Sequence, residues 1–405
     1  MDATLEFQDF GFVEQPDSVR VNFLKIFYFT IKKADLEHIS QFKISKNSIT
    51  FRDISERSAE NKFNLLISRG FNDLKNSLNG HRTIYIHSDS GIPLIGTRSF
   101  GIIDRGSYML ELKPITSCNI NCIYCSVDEG ASTKKVTDYV IEKDYLIRET
   151  RRLIAFKHET NKTKIDIYIN PQGEPLLYAD IVELVQDLRQ TDGINNIHII
   201  TNGALLSKEL IDDLSKAGLT HLNMSVCSLD EKNAKILAGT AKYDINHIRE
   251  MMIYAKDKIK VIITPVYIPA KNEDDLSDLV AFAEEHDMKL MIQNFLTNKK
   301  GRNPVEQKSW KEFFDFLDSL EKKHDTILRY DGELKMIKTP ELDCPFRRNE
   351  TVKVKMVAPG RYQNESLAVA KERSIVLFDN QFDKPKTAKI RIITVKNNLI
   401  TAKPL

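Results

Sequence analysis

Three cysteines offer the clearest chemistry in the chain. They lie in Cys118-Asn119-Ile120-Asn121-Cys122-Ile123-Tyr124-Cys125, at C-x3-C-x2-C spacing. A [4Fe–4S] cluster normally takes four cysteine thiolates. Three leave one iron without a protein ligand, free to bind and act on a small molecule. Other uses of cysteine fit less well. A structural zinc ion wants four ligands, and the remaining Cys227 and Cys344 are isolated in sequence. A disulfide framework suits a short secreted chain. This chain has 405 residues, and its start, Met1-Asp2-Ala3-Thr4-Leu5-Glu6, is acidic and unlike a secretory signal. A ferredoxin run would carry a fourth cysteine followed by proline close by, and Cys344-Pro345 is far away.

The cysteine spacing, with the aromatic Tyr124 before the third cysteine, resembles the signature of the radical S-adenosylmethionine (radical SAM) superfamily. The resemblance implies that Cys118, Cys122 and Cys125 hold a [4Fe–4S] cluster whose open iron chelates the amino and carboxylate groups of SAM. It further implies a one-electron donor of ferredoxin or flavodoxin type. Reduction then cleaves SAM to methionine and a 5′-deoxyadenosyl radical, which removes a hydrogen atom from substrate.

Further positions follow from the same resemblance. Asn170-Pro171-Gln172-Gly173-Glu174-Pro175 resembles the family's Gly-Gly-Glu-Pro motif, with Gln172 in place of the first glycine. Gly173, Glu174 and Pro175 are thereby implied in holding the SAM amino group. Read from the residues alone, a glycine lets backbone approach a ligand closely and a carboxylate pairs with an ammonium, although such a tetrapeptide is also an ordinary turn. In Thr201-Asn202-Gly203, Asn202 is implied near the SAM carboxylate or ribose; Asn-Gly is equally a common turn pair. Ser225, in Ser225-Val226-Cys227-Ser228, is implied at the ribose. Tyr124 is implied at adenine, where an apolar residue of Thr264-Pro265-Val266 also packs in relatives. Buried inert cysteine is the ordinary state for Cys227 and Cys344. Two catalytic readings stay open: Cys227 handling substrate near a barrel mouth, or Cys227 and Cys344 as a methyl-carrying pair, as in some radical SAM methyltransferases.

These loops need a scaffold. From about residue 108 the chain alternates strand and helix. Strand-like runs fall at 108–114, 164–170, 196–201, 222–228, 260–267 and 289–295, with helical runs at 139–156, 180–188, 208–217, 245–255 and 274–286. Apolar runs such as Ile197-His198-Ile199-Ile200 read as parallel strands buried on both faces, with His198 a core residue. Ser228-Leu229-Asp230-Glu231 has capping-box spacing for a helix start. The alternation predicts a parallel sheet with right-handed crossovers, flat or curved. The family resemblance implies the curved form, a partial (β/α)6 barrel with SAM at the carboxyl ends of its strands, as ligands sit in α/β sheets. This core spans 101–340 and includes an amphipathic helix at 308–323 whose aromatics, Trp310 among them, are expected in the core. Residues 1–100 read as an α+β accessory domain, with a strand at 21–29, a helix at 61–78 and a strand at 82–87.

Residues 345–405 read as a small all-β barrel of alternating runs separated by turns. From Thr351 onward there are eleven Lys or Arg against four Asp or Glu, with Tyr362, Phe378 and Phe382 nearby. A basic barrel with exposed aromatics suits phosphate tracking and base stacking; a solvated basic face is the plain alternative. Glu350-Thr351-Val352-Lys353-Val354, Val357-Ala358-Pro359-Gly360-Arg361 and Ser366-Leu367-Ala368-Val369-Ala370 resemble the TRAM domain, a barrel of RNA-modifying enzymes that holds tRNA. With it the chain resembles archaeal-type radical SAM proteins, the predicted Fe–S oxidoreductases. The implied substrate is tRNA or another RNA, with Lys353, Arg361 and Arg391 as contacts. No cysteine precedes Cys118, so sulfur insertion with a second N-terminal cluster is disfavoured against methylation or other carbon-centred chemistry. A peptide or small-molecule modifier, and a non-catalytic iron–sulfur RNA-binding protein, are the rival readings. Net charge is only +2, so nucleic-acid contact needs a local patch. No apolar run is long enough for a membrane span, and a cytoplasmic, reducing compartment is expected.

Overall fold

The computed structural model describes residues 2–160, 162–329 and 336–405. Its N-terminal part comprises β1 (Ala3–Glu6), β2 (Phe10–Glu14), β3 (Ser18–Phe23), β4 (Phe27–Lys32), α1 (Lys33–Glu37), β5 (Phe42–Ile44), β6 (Ser48–Phe51), α2 (Glu56–Asn72), β7 (Lys75–Asn76) and β8 (Arg82–Ile86). The run at 21–29 is two strands, not one. Leu24 and Lys25 take positive φ (46° and 65°) and turn the chain, so that Asn22 pairs with Tyr28. The helix expected at 61–78 starts earlier and stops at Asn72, because Lys75–Asn76 pairs with β4.

The central part contains β9 (Gly101–Asp104), β10 (Met109–Lys113), β11 (Thr116–Ser117), β12 (Thr137–Ile141), α3 (Lys143–Thr160), β13 (Ile165–Ile169), β14 (Gln172–Gly173), α4 (Ile181–Arg189), β15 (Ile194–Thr201), α5 (Lys208–Ala217), β16 (His221–Met224), α6 (Glu231–Ala238), α7 (Ile245–Lys256), β17 (Lys260–Ile263), β18 (Val266–Tyr267), α8 (Glu273–Glu285), β19 (Lys289–Leu290), β20 (Gln293–Asn294) and α9 (Trp310–His324). The main sheet runs β19-β17-β16-β15-β13-β10-β9, parallel throughout except for β9 at the edge. Six parallel strands with helical crossovers are the partial (β/α)6 arrangement.

One sheet face is fully buried, as at Ile167, Ile199 and Leu222. The other is not the apolar face that the continuous runs suggested. It carries a ring stack, Tyr168 on His198 at 4.2 Å and His198 on His221 at 4.1 Å. His198 is buried as expected.

The helix read at 139–156 is a strand followed by a helix. Thr137, Val140 and Ile141 are β-branched, and β12 pairs in parallel with β8, joining the six-stranded sheet of the N-terminal part. The runs at 260–267 and 289–295 each break into two short strands, since Pro265 has no N–H to give to a ladder. A helix does start after 228, but its cap is Asp230, whose carboxylate accepts from the Asn233 N–H at 2.7 Å. Ser228 donates to Asp275 instead. Trp310 is 54% exposed while Phe313 and Leu317 are buried; it sits at the first position of α9, where the stripe runs out to the surface and its ring packs on Phe313 and Phe314.

The C-terminal part, β21 (Thr351–Pro359), β22 (Glu365–Ala370), β23 (Arg373–Phe378), β24 (Lys386–Lys396) and β25 (Leu399–Pro404), closes as a barrel in the order β21-β22-β23-β25-β24. Its own core includes Met356, Ile375, Leu377, Ile390 and Ile392. It docks on the central part through the loop after β8: Ser374 N–H donates to Ile95 O at 2.8 Å and Ile400 N–H to Gly96 O at 2.9 Å. Among the described residues no helix is long and apolar enough to cross a membrane.

Candidate active site

The cysteine loop leaves the C-terminal end of β11, and neighbouring elements fix it from several sides. Asn121 N–H donates to Ala238 O at 2.9 Å and Ile123 N–H to Leu237 O at 3.1 Å, tying the loop to the end of α6. The next residue must be glycine: Gly239 has φ 63°, and a Cβ there would stand 2.1 Å from Asn121 O. Arg302 closes the other flank. Its guanidinium donates to Cys122 O at 2.8 Å, Glu129 O at 2.8 Å and the Asp128 carboxylate at 2.9 Å, while its N–H reaches Cys125 O at 2.9 Å. This arginine lies far along the chain in a loop without a motif, and no sequence signal marked it.

The three thiols lie close enough to act on each other electrically. Burial pushes the Cys118 thiol up, and nearby Cys122, Glu174 and Cys125 push it further. Burial with Cys125 and Cys227 raises Cys122 to about 12. Free thiolates would repel here, and bound iron would relieve that repulsion, as metals do for coordinating thiols. Among the described residues no three His, Cys, Asp or Glu side chains close around a single metal position. A cluster whose cysteines each bind a different iron makes no such demand. The donor set, three thiols in one clamped loop, fits a three-cysteine [4Fe–4S] centre.

The other predicted residues converge on this loop. Asn202 donates through Nδ2 to Asn119 Oδ1 at 2.9 Å and lies 3.9 Å from Cys118 Sγ. Tyr124 is half-buried, with its hydroxyl 3.0 Å from Cys227 Sγ, and the Val266 N–H donates to the same sulfur at 3.3 Å. Ser225 lines the small gap beside Cys122, Tyr124 and Cys227. Cys344 is not there: it packs against the C-terminal barrel core, apart from the apolar cluster of Cys227.

Gly173 and Glu174 have structural work in this geometry. Gly173 (φ 144°) pairs with Ser117, and a Cβ would meet Ser117 O at 1.9 Å. The close approach it permits is thus to the strand that launches the cysteine loop. Ser117 itself holds φ 115°, a conformation rare outside glycine. Glu174 is 1% exposed. Its carboxylate accepts from Thr201 Oγ1 at 2.6 Å, Asn202 N–H at 2.9 Å and Leu176 N–H at 3.1 Å. It therefore staples the end of β13 to the end of β15. Burial raises it to about 7 despite those three donors. Pro175 is buried at the start of a short 3-10 turn that Glu174 caps.

Beneath the loop lies a buried ionic hub. Arg361, in the turn between β21 and β22, is 3% exposed. It donates to Asp138 Oδ1 at 2.7 Å and Thr116 Oγ1 at 2.9 Å, and also to Glu129 and Thr137 O. Lys135 pairs with the same Glu129, whose N–H donates to Cys125 Sγ at 3.3 Å. Asn76 and Asn79 donate to Asp138 Oδ2 at 2.8 and 3.0 Å. Asp138 thus joins all three parts of the molecule. Arg361, read as a surface RNA contact, is an interior anchor: the carboxylates that draw it inward, Glu129 and Asp138, belong to a distant stretch of chain.

Comparison with known proteins agrees with this arrangement. The profile of the Radical SAM superfamily matches residues 112–283. Uncharacterized protein MJ0103 of Methanocaldococcus jannaschii is 36% identical over 363 residues, 82% of this chain and 82% of that protein. GTP 3′,8-cyclase of Lactiplantibacillus plantarum is 30% identical over 195 residues, which spans 48% of this chain and only 55% of the cyclase. The crystal structure of Streptococcus suis SuiB bound to S-adenosylmethionine superposes with a TM-score of 0.41 at 16% identity, covering 79% of this chain and 71% of that one. With its three-cysteine loop at the strand ends of a six-stranded parallel sheet, the chain belongs to the radical SAM superfamily, enzymes that use a [4Fe–4S] cluster and S-adenosylmethionine.

Proposed function

We propose that this enzyme modifies an RNA, with tRNA the first candidate, by methylation or another carbon-centred reaction. The observation that carries the substrate reading is a ladder of cations on the outer face of β21 and β24. Lys353 stands directly opposite Lys389, Thr351 opposite Arg391, and Lys355 beside them, all exposed. None of Lys353, Lys355, Lys389 and Arg391 has an acidic partner among the described residues. Like charges directly opposite each other in a ladder destabilise a sheet. A phosphate backbone would relieve that repulsion and release its own counterions. The ladder supports the TRAM-like role inferred for 345–405.

In this reading Cys118, Cys122 and Cys125 hold the cluster, and Asn202, Ser225 and Tyr124 face SAM. When bound, cluster and SAM supply a 5′-deoxyadenosyl radical that takes a hydrogen atom from substrate. The protein's part is positional. Arg302 and the bonds to α6 fix the cysteine loop. Gly173 and Glu174 hold the SAM-side loop against it, and Glu174 keeps a remaining acceptor site for an ammonium. Tyr124 and Val266 keep one wall apolar and dry. Cys227, held by Tyr124 and Val266, reads as part of that wall rather than as a nucleophile. The electron comes from a ferredoxin- or flavodoxin-type donor in a reducing cytoplasm. A second reading, a free nucleotide as substrate, draws support from the similarity to the cyclase named above.

The test is anaerobic. Protein reconstituted with iron and sulfide is given SAM, a strong reductant and unmodified tRNA, and 5′-deoxyadenosine is quantified by mass spectrometry. The expected result is deoxyadenosine that rises several-fold with tRNA and vanishes in Cys122→Ala. Cysteine-dependent deoxyadenosine that ignores tRNA would reject the RNA reading.

A further inference from the structure

A cavity of about 840 Å³ opens between the C-terminal barrel and the cysteine-loop flank, where Ser126 and Val127 follow directly on Cys125. That volume lies in the range of small-molecule sites. Its charge is one-sided. Among the described residues Glu365 is the only acidic one on its wall, and Lys300 pairs with it. Lys135 and Arg361 are spent on Glu129 and Asp138. Arg98, Lys299, Arg348 and Lys396 remain, all exposed at the wall and with no acidic partner among the described residues. The floor is apolar and aromatic, with Leu367, Val376 and Phe378 from the barrel and Tyr139 from β12. Lys300 Nζ sits 4.2 Å from the Tyr362 ring centroid and 5.0 Å from that of Phe378, so a cation already uses these ring faces.

Four unneutralised cations around an aromatic floor ask for a ligand with several negative charges and a flat ring. Simple anions have no use for the floor, and a neutral ring has none for the cations. We infer that this cavity is a nucleotide site, taking the phosphates and base of a nucleotide either free or presented by an RNA chain. The RNA-borne case rests on the function proposed above; binding of the free nucleotide does not. The site is separate from the outer ladder: β24 serves both, but the cavity takes its 393–396 end, and Lys353, Lys355, Lys389 and Arg391 are not on its wall.

The experiment uses the cluster-loaded protein with SAM saturating, so that the SAM site is filled. Calorimetry is run with ATP, GTP, pyrophosphate and guanosine. At least one triphosphate is expected to bind ten-fold or more tighter than pyrophosphate or guanosine. Arg348→Glu combined with Lys396→Glu should weaken it at least ten-fold and Phe378→Ala several-fold, whereas Lys353→Glu with Lys389→Glu should leave it unchanged. An RNA-borne nucleotide gives a different pattern that also supports the site: the Arg348/Lys396 variant still captures tRNA but loses tRNA-stimulated deoxyadenosine. Pyrophosphate binding as tightly as the triphosphate would overturn the assignment. So would triphosphate binding, or tRNA-stimulated turnover, that the Arg348/Lys396 variant does not change. The RNA reading fails separately, if the Lys353/Lys389 variant keeps full tRNA affinity.

Discussion

The C-terminal barrel uses positive charge in two opposite ways. On its inner side, Arg361 is buried and bonded to Glu129, Asp138 and Thr116. On its outer side, Lys353 and Lys389 stand opposite each other across β21 and β24, both exposed. The first is an internal joint that locks the barrel under the cysteine loop. The second sets like charges opposite each other, a repulsion that the RNA proposed above would relieve. The two stretches look alike in sequence, and the difference lies entirely in what the fold brings opposite each of them. A basic count therefore cannot by itself locate a binding surface.

The inner joint should be the costly one to break. Arg361→Met leaves Asp138 buried without its cation and Glu129 with Lys135 alone, and removing one partner of a buried pair typically costs about 3–5 kcal/mol. Denaturant titration of the reconstituted protein should show that loss, together with a lower iron content, since Glu129 also donates to Cys125. A variant within about 0.5 kcal/mol of the parent would mean that the joint is dispensable.

A smaller effect sits on Asp138. Burial alone would raise its pKa. The Arg361 charge and hydrogen bond, helped by Asn79 and Asn76, outweigh that and hold it at about 2, against an ordinary 3.8. A depressed carboxylate stabilises the fold above its unfolded pKa, and that contribution fades as pH falls through the folded one. Asp138 should thus contribute on the order of 2 kcal/mol near neutrality, lost between about pH 4 and pH 2. The stability gap between the parent and Asp138→Asn should shrink across that window. A gap that stays constant would contradict the assigned pairing.

These particulars also mark what a sequence can and cannot disclose. The cysteine loop was legible because its ligands lie within eight consecutive residues, and the central sheet because strand and helix alternate at short range. The family resemblance pointed to Asn202, Ser225 and Glu174, each at the end of a predicted strand, and the fold brings them beside the cysteine loop. What Glu174 does there was not legible: its three donors lie on two different strand ends. Arg302 and Arg361 were missed as anchors for the same reason, since their partners are set by tertiary contacts. The run 139–156 misled because Tyr139-Val140-Ile141 continues an apolar pattern straight into α3, and only pairing with β8 separates the strand from the helix.

The outer ladder should cost little in stability when altered, within about 0.5 kcal/mol for an exposed site, and its effect should fall on RNA alone. The most direct measurement is 5′-deoxyadenosine formation against tRNA concentration, for the parent and for Lys353→Glu combined with Lys389→Glu, at two salt concentrations. RNA binding by the ladder predicts the same maximal yield in both. The variant should need roughly ten-fold more tRNA for half of it, with the log–log salt slope of tRNA affinity reduced by about 2. Superimposable curves with an unchanged salt slope would contradict it, and would leave the basic face of the barrel without a role in substrate binding.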